Sequence, residues 1–211
     1  MPKRKELERR EFLFDVNARA DDTGHHIEGR PIVYGSVTNL GDFDEVIEPG
    51  ALDNTDLRDV RFLVNHNLSM IPLARSRRNN GNSTMLLSVD AEGMGIRVDL
   101  DTENNMDSKA LYSAVSRRDI TGMSFLFGVD GEEWTGLDTD HPTRHIKSFS
   151  TVVEVSAVTF PAYDDTEIEA RSKEALESAR SALERARQQK PVETGSELEL
   201  LKLKTRILGG I

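Results

Sequence analysis

From Glu11 to Tyr163 the sequence is a succession of short runs in which apolar and polar residues alternate, each closed by turn-forming residues. A period of two sends successive side chains to opposite faces, so such a chain folds into half-buried sheets rather than a helical bundle. The predicted strands are Phe12–Ala18, Gly29–Val37, Val60–Asn65, Leu73–Arg77, Thr84–Asp90, Ile96–Leu100, Gly122–Val129, His145–Ser150 and Val152–Phe160. Turn chemistry separates them at Asp21-Asp22-Thr23-Gly24, Glu48-Pro49-Gly50, Asn79-Asn80-Gly81-Asn82 and Glu92-Gly93. Many short strands with regular turns predict a barrel or a sandwich.

Two segments depart from that pattern. Asp107 is placed to cap a helix whose Leu111 and Val115 share a face, with Gly122 beyond its end. A longer helix is predicted from about Glu167 to Gln189, where Ile168, Ala175, Leu176, Ala179, Ala182, Leu183 and Ala186 recur near the helical period. This narrow, alanine-rich stripe suits docking on the β-rich domain, pairing with a second chain, or both. Lys190–Ser196 has linker composition, and Leu198, Leu201, Ile207 and Leu208 then give a short amphipathic segment. The chain therefore divides into a polar extension (1–10), a β-rich domain (11–166), a helix (167–190) and a linker with tail (191–211).

Composition removes several function classes. The 211 residues carry 27 basic and 37 acidic side chains, a net charge of −10, which repels phosphate backbones and anionic lipid. Neither nucleic acid nor a membrane surface is an expected partner, and the basic clusters Lys3–Lys5 and Arg75–Arg78 read as solvated faces. The absence of cysteine excludes disulfides, thiolate zinc sites and a cysteine nucleophile. No run approaches the roughly 20 apolar residues that span a bilayer, and the polar start Met1–Arg10 is unlike a signal peptide, so a cytoplasmic protein is expected. The carboxylates Asp99, Asp101, Glu103 and Asp107 lack the glycine turn and terminal glutamate of a calcium loop, and no metal or cofactor is assigned.

Three residues could carry chemistry. Among the five histidines, His25 and His26 fall in a turn, and His141 and His145 flank a polar Pro-containing stretch. His66 alone closes an apolar strand; alternation puts it on one face with Phe62 and Val64, where it is either a structural histidine or a general base. Ser124 lies in Thr121-Gly122-Met123-Ser124-Phe125-Leu126-Phe127-Gly128, a small hydroxyl beside glycines on an apolar strand. It is an ordinary strand serine unless a base adjoins it, since its hydroxyl is barely ionised at neutral pH. Glu154 is a lone charge in the β-forming run Thr151–Phe160, sharing a face with Val152, Ser156 and Val158. A buried carboxylate needs a donor, so Glu154 either reaches an edge or a salt bridge, or finds a histidine to orient.

The order of four segments resembles the prohead protease family of tailed phages, grouped with the herpesvirus assemblins in one clan of serine proteases. The matching segments are Gly29–Gly35 with Ile47-Glu48-Pro49-Gly50-Ala51-Leu52, then Val64-Asn65-His66-Asn67, then the helix entering Ile120-Thr121-Gly122-Met123-Ser124-Phe125, and last Glu154–Ala162. The resemblance implies a small antiparallel β-barrel flanked by helices, hence a β-rich α+β fold. It implies His66 as general base and Ser124 as nucleophile, with Glu154 as the residue that orients His66 and Ser156 as its substitute. It also implies a serine endopeptidase in the host cytoplasm, inside the assembling prohead. Its substrates would be scaffold or the scaffolding extension of the major capsid protein, and often the protease itself. The tail 191–211 would be a candidate for self-processing, and a homodimer is compatible with the clan. Oxyanion donors are sought among backbone amides and Arg117, Arg118 or Arg144. The competing reading is an inactive capsid assembly factor of the same fold.

Overall fold

The computed structural model describes residues 7–12, 16–159 and 173–189. In chain order its strands are β1 (Leu7–Phe12), β2 (Asn17–Asp21), β3 (Gly24–Val33), β4 (Val37–Asn39), β5 (Asp44–Ile47), β6 (Val60–Val64), β7 (Ala74–Ser76), β8 (Met85–Asp90) and β9 (Gly93–Leu100). Helix α1 (Met106–Ser116) follows, and then β10 (Gly122–Thr135), β11 (Thr143–Val158) and α2 (Lys173–Gln189).

The long β-forming stretch from Thr143 to Val158 is the spine. One edge of β11 pairs antiparallel with β10, while the other is long enough to take two parallel strands end to end, β5 at Thr143–Ile146 and β6 at Glu154–Ala157. With β1 on β10, β4 on β5 and β7 on β6, this makes a seven-stranded sheet. A second, four-stranded sheet runs β2-β3-β9-β8. Pro31, which has no N–H to give the ladder, sits where the β3–β9 register shifts between Gly29 and Ile32. Both sheets face one apolar core: Ile27, Met94 and Val98 meet Phe62, Phe125, Phe127, Phe149 and Val155, with Leu111 and Val115 of α1 at the margin.

The expected small antiparallel barrel is corrected to two sheets, and among the described residues no barrel closes. β2, β3, β9 and β8 pair only among themselves, and the larger sheet is mixed because β11 takes parallel partners on one edge. The runs His145–Ser150 and Val152–Phe160 join in one strand up to Val158, and β5 was too short to stand out in the sequence. Asn105, not Asp107, caps α1, its side chain accepting from the Asp107 and Ser108 amides. Arg118, at φ 63°, ends that helix before Gly122 is reached.

α2 docks its stripe on the same chain: Ala179, Ala182, Leu183 and Ala186 are buried, and Ala179 and Leu183 pack with Leu40 and Phe43. Its expected beginning at 167, the last residues of the β-rich domain (160–166) and the linker and tail (191–211) lie outside the described residues.

Residues 7–10, read from sequence as part of a polar extension, pair in β1 with β10. The charges of Glu8 and Arg10 are buried as pairs, which composition does not reveal. Arg10 donates to both oxygens of Glu45 at 2.6 and 2.7 Å and to Glu8 at 2.8 Å. Arg144 donates to Glu8 at 2.6 and 2.9 Å, to Glu45 at 3.0 Å and to Glu132 at 2.7 Å. Both guanidiniums are 1% exposed and lie over aromatic rings, Arg10 over Phe127 and Arg144 over Trp134. The network fastens β1 to β5, β10 and β11.

Burial alone would raise the Glu8 carboxyl, but the hydrogen bond from Arg144 and the charges of Arg10 and Arg144 bring it from 4.5 to about 2. A folded value below the unfolded one adds stability that is complete above pH 4.5 and disappears as pH falls toward about 2. Glu8→Gln should therefore lose about 3 kcal/mol at neutral pH. Urea unfolding at a series of pH values should show the gap to wild type narrowing across that acid window.

Candidate active site

β10 and β6 lie on opposite edges of β11, so three neighbouring strands can bring side chains to one place. Ser124 pairs with Ser156 across β10–β11, and Ser156 pairs with Leu63 across β11–β6. Directly paired residues share a face, and the face carrying Ser124 and Ser156 is opposite that of Phe125 and Val155 in the core.

Glu154, two residues before Ser156 in unbroken register, shares this face, and an irregularity just beyond it sets Val152 apart. Phe127 pairs with Val152 but the adjacent Leu126 pairs with Glu154, leaving Val153 as the extra residue of a bulge. Val152 therefore belongs with Phe127 in the core, while Glu154 joins Ser124 and Ser156. Strict alternation, which put Val152 and Glu154 on one face, does not survive the bulge. Ser124, Glu154 and Ser156 are all 0% exposed.

His66 is likewise not placed by alternation. β6 ends at Val64, and Asn65 and His66 then take φ values of 50° and 55°. Each left-handed residue costs about 1 kcal/mol, although Asn and His enter this region more readily than most side chains. The Asn65 amide continues the ladder to the Ala157 carbonyl at 2.9 Å, and the Asn67 amide turns back to Val64 at 3.1 Å. β11 and Thr159 just beyond its end grip both residues of the turn. Asn65 donates through Nδ2 to Thr159 Oγ1 at 2.7 Å and accepts the Thr159 amide at 3.0 Å, while the His66 amide donates to Ser156 Oγ at 3.1 Å.

So held, the imidazole lies between the other two candidates. Its Nδ1 meets Glu154 Oε1 and its Nε2 meets Ser124 Oγ. A carboxylate has only acceptors, so Nδ1 carries the proton and Nε2 is left to accept from Ser124. The Ser124 hydroxyl also donates to the Arg10 carbonyl at 2.6 Å, so two acceptors compete for its one proton. Ser156 donates to the second carboxylate oxygen, Glu154 Oε2, at 2.7 Å.

The structure thus brings together His66, Ser124 and Glu154, with Ser156 beside them. The other four histidines bond elsewhere: His25 to Thr102, His26 to Arg97, His141 to Asp44 and His145 to Glu48. Of the arginines considered for the oxyanion, Arg144 is committed to the buried network and Arg117 to Asp119 and Ser113, leaving Arg118 exposed on its turn. The room beside Gly128 is filled by protein: a Cβ there would come within 2.5 Å of Ser150 Oγ. Asp99 pairs with Arg97 and Asp101 accepts from Asn104. The Arg10 carbonyl, the Asn65–Thr159 clamp and the second contact of Ser156 are absent from the sequence reading. Of these, only Ser156 left a trace, two residues from Glu154 on one face of a strand.

Serine, histidine and buried carboxylate joined in this order form the side-chain relay of serine hydrolases. The chain belongs to the caudovirus prohead serine protease family, which matches residues 14–180 and so contains all three side chains. Comparison with curated proteins and with solved structures finds no match to either.

The turn supports a direct test. Asn65→Ala loses the Thr159 clamp and also puts an ordinary side chain in the left-handed region, whereas Asn65→Gly loses the clamp alone. Urea unfolding should show the alanine variant less stable than the glycine variant by about 1 kcal/mol.

Proposed function

We propose that this protein is the serine endopeptidase of a phage prohead, with Ser124 as nucleophile, His66 as general base and Glu154 as the group that orients His66. The observation that carries this reading is the unbroken contact from Ser124 Oγ through both ring nitrogens of His66 to Glu154, in a chain of the prohead serine protease family.

Ser124 Oγ attacks the scissile carbonyl as its proton passes to His66 Nε2, giving up its bond to the Arg10 carbonyl. The tetrahedral intermediate collapses, the C–N bond breaks, and the amine leaves with the proton from Nε2. Water then repeats the sequence on the acyl-enzyme, again with His66 as base. Glu154 keeps Nδ1 protonated throughout and supports the imidazolium. In the present conformation Ser124 has no exposed surface, so cleavage requires it to be uncovered. The substrates we assign are scaffold or the scaffolding extension of the major capsid protein, and the protease itself, with removal of the tail 191–211 as the self-processing event.

Co-expression with the phage's own capsid and scaffold proteins, read by intact mass, tests the assignment. Wild type should yield defined truncations, and Ser124→Ala and His66→Ala should each reduce them by about 10³-fold or more. Equal masses from all three, with particles still assembling, would make the chain an assembly factor.

A further inference from the structure

The triad accounts for one oxygen of Glu154 and for the ring of His66. It leaves two polar groups in the same dry site to be explained: Glu154 Oε2 and the backbone amide of His66. One side chain answers both. Ser156 Oγ donates its proton to Glu154 Oε2 at 2.7 Å and accepts the His66 amide at 3.1 Å. The residue is 0% exposed, so water does not replace either bond.

Resting on the reading of Ser124, His66 and Glu154 as a triad, we propose that Ser156 is a positioning residue of the catalytic site: its hydroxyl ties the carboxylate that orients the base to the backbone that carries the base. Each half of that tie has a physical reason. The Glu154 carboxylate can rotate about its terminal torsion, which is broad and only weakly restrained in itself. Fixing Oε2 to Ser156 leaves Oε1 aimed at Nδ1. His66, at φ 55°, occupies a left-handed conformation that its surroundings must impose. The Ser156 acceptor holds its amide from β11, while Thr159 holds Asn65 one residue earlier.

Because Glu154 and Ser156 are two residues apart on one face of one strand, the spacing between the orienter and the hydroxyl that holds the His66 turn is set by rigid sheet. The two hydrogen bonds of Ser156 run to Glu154 and to the His66 amide, so it acts through the geometry of those two partners.

The test compares wild type, Ser156→Ala and the nearly isosteric Ser156→Cys, whose thiol is a weaker donor. Processing rate is followed by intact mass in the co-expression assay. The far-downfield proton resonance of His66 Nδ1–H, identified by its loss in His66→Ala, is recorded on each purified full-length chain. Ser156→Ala should slow processing by about 10- to 100-fold and shift or broaden that resonance, with Ser156→Cys intermediate in both. If Ser156→Ala does not fold, Ser156→Cys carries the comparison alone. A serine variant that keeps the wild-type rate overturns the proposal. So does a slowed variant whose resonance is unmoved, since that is a packing effect. A wild-type chain that processes nothing, or a Ser124→Ala chain that processes normally, instead brings down the triad reading itself.

Discussion

The pairing of β11 with a parallel strand on one edge and an antiparallel strand on the other governs everything this site does. β6 contributes the turn that carries His66, β10 contributes Ser124, and β11 contributes Glu154 and Ser156 between them. No connection of the three by local sequence would serve, because they are separated by 58 and 88 residues from His66. The sheet converts that separation into neighbouring positions whose spacing is fixed by backbone hydrogen bonds. Two local departures from regularity finish the work. The bulge at Val153 turns Val152 into the core while Glu154 keeps the face of Ser156, and the left-handed pair Asn65-His66 brings the imidazole to that face.

The same sheet has a second polar interior, and it is of a different kind. Glu8, Arg10, Glu45 and Arg144 are buried charges whose fork-shaped bonds are mutually satisfied, so the group is a fastening rather than a reactive site. Its position beside β10 matters for chemistry even so. Arg10 anchors β1 through its guanidinium and presents its backbone carbonyl to Ser124. One residue thus couples the order of the edge strand to the direction in which the serine proton points.

How much of this could be read in advance follows from which signals are local. Period-two runs identified most strands, and the apolar stripe of α2 is visible in Ala179, Leu183 and Ala186. The three candidate side chains stood out because each is an anomaly in its setting: a histidine ending an apolar strand, a serine among phenylalanines and a lone glutamate in a valine run. What could not be read was register. Alternation did put Glu154 with Ser156, but a bulge decides the face of Val152 and a two-residue turn that of His66, and neither has a composition of its own. Buried charge was equally silent, since Leu7-Glu8-Arg9-Arg10 looks solvated until Glu45 and Arg144, far along the chain, are seen to meet it. The barrel expected from the resemblance gave way to two sheets for the same reason, because pairing partners are a property of the whole chain.

The span that matches the family begins at residue 14, whereas β1 ends at Phe12. A fragment trimmed to the recognisable portion would retain Ser124, His66 and Glu154 yet lose Glu8 and Arg10. Glu45 would be stripped of its forked partner, and Arg144 would keep one carboxylate fewer. The strand bearing Ser124 would also gain a bare edge, open to self-association. The stretch that matches the family is therefore shorter than the stretch that packs together, and the difference includes the first strand and the second half of α2.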